Sequence, residues 1–328
     1  MRPPPPPPAW PYSLRCFDNQ FALVDTRLCD LLRPPLWHSL SDKQVFFTTL
    51  TSSPLDKGAA INATPYLPDI CHFRGSYGGK DIYPLYRDEE AQRPNITYGL
   101  LDLLVKQYKT NITAEDLAAY VYALLGGQSY TQVFRSELEI PGARIPVTKN
   151  AQLFRQATEL GKQLIWLHTY ALRFKDKKQN RNTKIPKGRA EILEAITENP
   201  DKFFYKSTGK ELHIGNGRIG RVDSEVWNYE ISGLKVLQSW LGYRKQNRKG
   251  KKSSELDEIR PLQWSPDMTT KLITLIWILE ATLCMETDLE NILQTVIKSE
   301  CFNIDELPKP SPSQSKPPKL PSKPTLIK

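Results

Sequence analysis

The chain has 328 residues, 39% of them hydrophobic and 25% charged, and 45 Lys and Arg against 36 Asp and Glu give a formal net charge of +9. Such a chain can bury a large core in two or three parts, and its composition excludes an intrinsically disordered protein. Five scattered cysteines without a CxxC pair support neither a disulfide framework nor a zinc site, and the positive balance leans toward a polyanionic partner.

In chain order, six prolines at 3–8 make a polyproline II stub, and residues 1–11 are expected to be disordered. Prolines cannot form the apolar helix of a secretion signal, so the cytoplasm is the expected compartment. Residues 12–95 read as β-rich with long loops. The run 44–50 has the β-branched and aromatic content of a strand, and 59–64 is a second candidate.

Over 96–175 the period becomes helical. Leu100, Leu101, Leu104 and Val105 form one stripe, and Thr113 with Asp116 makes a capping box for a second helix. Leu117, Tyr120, Val121, Leu124 and Leu125 line that helix before Gly126 and Gly127 stop it. A short helix is predicted over 133–138 and a longer one over 150–170.

Residues 176–302 form a β-rich hairpin region with closing helices. Runs 203–205 and 211–214 read as strands, and Gly215, Asn216 and Gly217 turn a hairpin into Arg218 and Ile219. A helix follows over 235–244. A last, strongly apolar helix starts at Ser265, Pro266 and Asp267. Its longest apolar run, 272–279, is interrupted by Thr274 and is too short for a bilayer. Residues 303–328, rich in Pro, Ser and Lys, are expected to be a disordered basic tail. The fold class is therefore α+β, with β-rich parts on either side of a helical layer, a closing apolar helix and disordered Pro-rich ends.

Catalytic signatures are missing. Residues 215–220 match GxGxxG, but the chain that follows reads as extended, where a dinucleotide site needs a helix N-terminus. A phosphate-cradling loop is absent, and no His pairs with a second His or Cys at metal-ligand spacing. DNA amino-methyltransferases hold the flipped base with an Asn/Asp-Pro-Pro-aromatic loop. The nearest string here, at 33–37, lacks the polar residue. No catalytic, cofactor-binding or metal residue is assigned, and the chain is not expected to be an enzyme on its own.

Recognition chemistry remains. The loop at 72–81 carries Arg74, Lys80 and glycine N–H groups that can approach phosphate or set Arg74 on a guanine edge; the plain alternative is a glycine loop whose Arg makes a salt bridge. Eight Lys or Arg, among them Arg181, Lys184 and Lys187, stand against the single acid Asp176 over 173–189. Six more, including Arg244, Lys245 and Arg248, fall in 244–252 without an acid. Solvated loops explain such runs as readily as phosphate contacts do. Flanking one β-rich segment that bears Arg218, Arg221 and Tyr243, they favour a binding face.

Several blocks carry a family resemblance. Arg15, Cys16, Phe17 and Asp18 resemble the element that opens the C-terminal specificity domain of type ISP restriction–modification enzymes and related adenine DNA methyltransferases. Residues 72–87, 115–125, 143–146, 226–244 and 264–268 resemble the later blocks in family order, so that the likeness covers about 12–298. The resemblance implies a DNA target-recognition module, adds Arg15 to the candidate DNA contacts, and names double-stranded DNA as partner. In that family the domain follows an adenine-N6 methyltransferase, so S-adenosylmethionine is expected only in a partner methyltransferase and no cofactor in this chain. The rival expectation is a protein-interaction subunit that docks a separately encoded methyltransferase and meets DNA only in the complex.

Overall fold

Strand β1 (Ala9–Arg15) pairs antiparallel with β2 (Asp18–Leu23), Trp10 opposite Ala22 and Tyr12 opposite Gln20. The computed structural model describes residues 9–25, 29, 32–73, 81–245 and 263–319. Residues 9–11, expected in the disordered stub, therefore belong to a strand. Cross-strand pairing and the burial of Trp10 and Tyr12 against Val24, Trp37, Phe46 and Leu67 hold them there. Strand β5 (Leu67–Pro68) adds to the free edge of β1 in parallel. A second sheet centres on β3 (Phe46–Thr49), flanked antiparallel by β4 (Asn62–Thr64) and β6 (Asp81–Pro84). The four-residue helix α1 (Pro34–Trp37) lies between the two sheets in sequence.

The helical layer follows. Helix α2 (Leu100–Tyr108) precedes α3 (Ala114–Leu125), whose Thr113 and Asp116 make the expected reciprocal capping box. Helix α4 (Ser129–Val133) ends where the short helix was predicted to begin, and 3₁₀ residues Glu137–Glu139 follow it. Burial decides the difference: Tyr130 is 1% exposed and its hydroxyl donates to Arg144 O, whereas Val133 is 40% exposed. Asn150 caps α5 (Ala151–His168) by accepting from the N–H groups of Gln152 and Leu153.

Helices α3 and α5 touch backbone to backbone at Gly161, where an added Cβ would meet Ala119 O at 1.8 Å. Helix propensity favours Gly161→Ala by about 1 kcal/mol. Overpacking opposes it by about 1–3 kcal/mol, and here the obstacle is rigid backbone. A net loss of stability is therefore expected in urea unfolding, and an equal or higher midpoint would refute this tight contact.

The third part contains β7 (Glu191–Glu194), β8 (Phe203–Lys206), β9 (Glu211–Ile214) and β10 (Gly217–Gly220), in the order β7-β10-β9-β8. Gly215 turns the β9–β10 hairpin at φ 55°. The second half of the GxGxxG string is thus strand β10, which opens no helix; the chain expected to run on as extended does so only to Asp223 and then forms a four-residue helix at Ser224–Trp227. Next come α6 (Ser224–Trp227), the short pair β11 (Glu230–Ile231) and β12 (Leu234–Lys235), and α7 (Val236–Gly242). This segment docks on the first part of the chain: Ala59 N–H donates to Glu230 O, Ser232 N–H to Ala59 O, and Gly233 N–H to Lys57 O.

Helix α8 (Pro266–Lys298) starts as predicted, with Ser265 accepting from Met268 N–H. Its 33 residues are long and apolar enough to cross a membrane by length and composition. Its apolar side is occupied otherwise: Leu272, Leu275, Ile276, Ile278 and Leu279 are fully buried, and the helix packs on α3, α4, α5 and α6. His168, at the end of α5, joins this core by bonding Tyr122 OH at 2.6 Å and Thr282 Oγ1 at 3.0 Å. In the first part, His72 bonds Ser13 Oγ and Thr48 Oγ1, both at 3.0 Å. Burial pushes each of these histidines down to about 3, with Arg15 and Arg33 adding to the effect at His72.

Residues 303–319 also depart from the expected tail. Arg87 donates to Gln314 O at 2.6 Å and to Lys316 O, and Gln314 Nε2 donates to Ile96 O at 3.3 Å. Polar contacts to backbone carbonyls attach this stretch, which apolar content could not signal. The expected disorder of 1–8 and 320–328 falls outside the described residues.

Candidate nucleic-acid interface

Three parts of the chain meet around Arg15. Its guanidinium donates to Leu14 O at 2.6 Å and to Asp69 Oδ1 at 3.1 Å, and lies 5.2 Å from the centroid of the Tyr243 ring. Tyr12 OH donates to the other oxygen of Asp69. The next residue, Cys16, donates its N–H to His72 O at 3.1 Å, which ties the β1–β2 turn to His72. On the opposite side, Arg244 forks onto Asp18 at 2.7 and 3.1 Å and stands 3.4 Å from the Trp240 ring centroid. Lys245 Nζ sits 4.9 Å from the Phe203 ring centroid.

Four predicted residues, Arg15, Tyr243, Arg244 and Lys245, therefore lie where the end of α7 meets the β1–β2 turn, and Arg244 and Lys245 open the second basic stretch. Their burial divides their roles. The Arg244 side chain is 7% exposed and that of Asp18 1%, so this pair ties α7 to the β1–β2 turn. The Arg15 side chain is 12% exposed and held by Asp69. Tyr243 and Lys245 stay half-buried.

The hairpin sheet presents a second face. Across its strands Phe204, His213, Arg218 and Glu194 stand in register. Phe204 stacks on His213 with centroids 4.6 Å apart, while Arg218 pairs with Glu194 at 2.7 Å and Glu211 at 3.3 Å. Two carboxylates offset the Arg218 charge, so it is not a ready phosphate contact. Arg221 is 69% exposed at the edge, 3.1 Å from Glu191. Sequence reasoning missed the exposed Phe204–His213 stack. Its signal was the strand alternation that put both residues on one face.

In the first basic stretch the predicted residues part company. Arg181 is buried, donating to Phe174 O at 2.9 Å and facing Asp176 and Glu159, so its cation serves the fold. Lys184 and Lys187 are exposed. Arg74, Lys80 and Arg248 lie outside the described residues. Among the described residues, no cluster of three or more His, Cys, Asp or Glu could hold a metal ion.

Comparison with known proteins bears on this geometry. The Type ISP C-terminal specificity domain family matches residues 4–275. Among solved structures, the fold is similar to a cryo-electron-microscopy DrdV–DNA complex, with a TM-score of 0.64 at 17% identity over 89% of this chain and 28% of that one. It is also similar to the ATP-dependent Type ISP restriction–modification enzyme LlaBIII bound to DNA, with a TM-score of 0.59 at 17% identity over 87% of this chain and 18% of that one. A nuclease-deletion mutant of the Type ISP enzyme LlaGI, in complex with a DNA substrate mimic, gives 0.57 at 16% identity over 85% and 20%. This chain thus spans between 18% and 28% of the length of these structures. No curated protein sequence matches it.

Proposed function

The chain belongs to the Type ISP C-terminal specificity domain family, and from that premise we propose that it recognises a double-stranded DNA target for a restriction–modification or adenine-N6 methyltransferase system. The observation that carries this reading is the meeting, within a domain of this family, of Arg15 with Tyr243 and of Lys245 with Phe203 where the second basic stretch begins. Exposed lysines supply salt-sensitive attraction to phosphates, and a smaller set of side chains reads base edges. Neither catalysis nor S-adenosylmethionine binding is assigned to this chain; the cofactor belongs to a methyltransferase partner.

Selection from a random duplex pool with the purified chain at physiological salt tests the reading. An enriched asymmetric motif, bound ~10³-fold or more above bulk DNA, is expected. Absence of any duplex binding would overturn it. A second reading, docking of a separately encoded methyltransferase, is favoured by the outward face of the β1–β2 hairpin. There Phe21 is 68% and Leu23 49% exposed. On that reading Phe21→Ser abolishes co-purification with the methyltransferase.

A further inference from the structure

The basic stretch 173–189 sorts its cations by type. Each of its arginines is engaged with the fold. Arg173 donates to Gln44 O at 2.7 Å and Ser41 O at 3.1 Å, Arg181 is buried as described, and Arg189 pairs with Asp223. Each of its lysines is exposed: Lys175, Lys177, Lys178, Lys184 and Lys187 make no hydrogen bond or ion pair through their ammonium groups among the described residues. The single acid, Asp176, accepts from Lys178 N–H at 2.9 Å and pairs with Arg181, so its charge is offset by an arginine rather than by the lysines.

The backbone beneath them is fixed at several points. Asp176 and Arg181 exchange both backbone hydrogen bonds, closing a tight turn with Lys177 and Lys178 at its tip. Trp166 Nε1 donates to Asn182 O at 2.7 Å, and Trp277 Nε1 to Ala190 O at 2.9 Å. Glu280, a buried carboxylate on α8, accepts the N–H groups of Arg189 at 2.7 Å and Ala190 at 3.1 Å. At Gly188 a Cβ would lie 1.9 Å from Glu280 Oε2, so glycine admits this close approach. Arg forks match carbonyl and carboxylate geometry, whereas a Lys ammonium is a mobile, hydrated point charge that suits an irregular row of phosphates.

We infer that Lys175, Lys177, Lys178, Lys184 and Lys187 form a preformed ridge for the phosphodiester backbone of duplex DNA, with Arg173, Arg181 and Glu280 as its positioning residues. The inference rests on the DNA-recognition reading and deepens it by separating phosphate contacts from anchors. Because the backbone beneath the lysines is fixed before DNA arrives, binding carries the cost of ordering their side chains but little for ordering the loop. Its contacts are sequence-independent, so they set affinity and salt dependence and leave the choice of target unchanged.

The test uses the full chain and a defined duplex, with binding followed by fluorescence anisotropy between 50 and 200 mM salt. Each Lys→Gln change at the five positions is expected to flatten the plot of log affinity against log salt by about 0.9. The fivefold Gln variant should retain the selected motif, and the fivefold Lys→Arg variant should keep the wild-type slope. An unchanged slope in the fivefold Gln variant, with wild-type protein still binding, would overturn the ridge alone. Failure of the wild-type protein to bind any duplex would instead remove the DNA-recognition reading, and the ridge with it. Hydrogen exchange gives a second readout: the Arg189 and Ala190 amides should already be protected without DNA. Protection that appears only when DNA is added would refute the preformed backbone.

Discussion

Arg244→Ala is expected to lower folding stability by about 3–5 kcal/mol, the usual effect of removing one partner from a buried ion pair. The reason lies in what remains. Asp18 is 1% exposed, and without the guanidinium its carboxylate keeps, among the described residues, Gln20 Nε2 as its one side-chain donor. The substitution also removes the cation from the face of Trp240 and the bond to Trp240 O. Urea unfolding checks the loss. The double variant Asp18→Asn/Arg244→Met should recover part of it, because the stranded charge is gone. A phosphate-contacting Arg244 would behave oppositely, with unchanged stability and weaker DNA binding. An Arg244→Ala midpoint within the error of wild type would therefore return this residue to the interface.

Acid is expected to unfold the protein well before its carboxylates are fully titrated. His72 and His168 are each pushed down to about 3 in the folded state, mainly by burial. In the unfolded chain they titrate near the ordinary value of about 6.5. Between these values the unfolded state binds two protons that the folded state refuses, so stability falls as pH falls. The stabilisation is complete above about 6.5 and is lost progressively toward 3, each histidine contributing up to about 1.4 kcal/mol per pH unit. Urea midpoints measured from pH 7 to 4.5 should drop steeply, and the ring signals of both residues should stay in the neutral form while the protein is folded. Titration of either ring near pH 6 in the folded protein would refute the assignment.

Local features of this fold were legible in the sequence. The Thr113–Asp116 capping box, the helix start at Ser265 and Pro266 and the Gly215 turn each depend on a few adjacent residues, and each lies where those residues put it. The α+β class and the closing apolar helix followed from changes of hydrophobic period. Features set by distant partners were not legible. Strand β1 reaches into the proline-rich opening because β2 and β5 hold it, and residues 303–319 attach because Arg87 supplies donors more than 220 positions away. The same limit governs the candidate site. Composition marks a cationic run, but only the positions of Glu159, Asp18 and Asp69 separate Arg181, Arg244 and Arg15 from the exposed lysines.

The docking of the 230–244 segment on the start of the chain has a consequence for synthesis on the ribosome. Ala59 and Lys57 await the backbone of Glu230 and Gly233, and Asp18 awaits Arg244. Roughly 170 residues separate Phe73 from Arg244, about 9–35 s of translation at ~5–20 residues per second. Throughout that interval the nascent N-terminal sheets carry an uncompensated carboxylate and unpaired backbone groups. A release of the chain before residue 244 should therefore yield an aggregating fragment and a demand on chaperones, whereas the finished chain closes cooperatively.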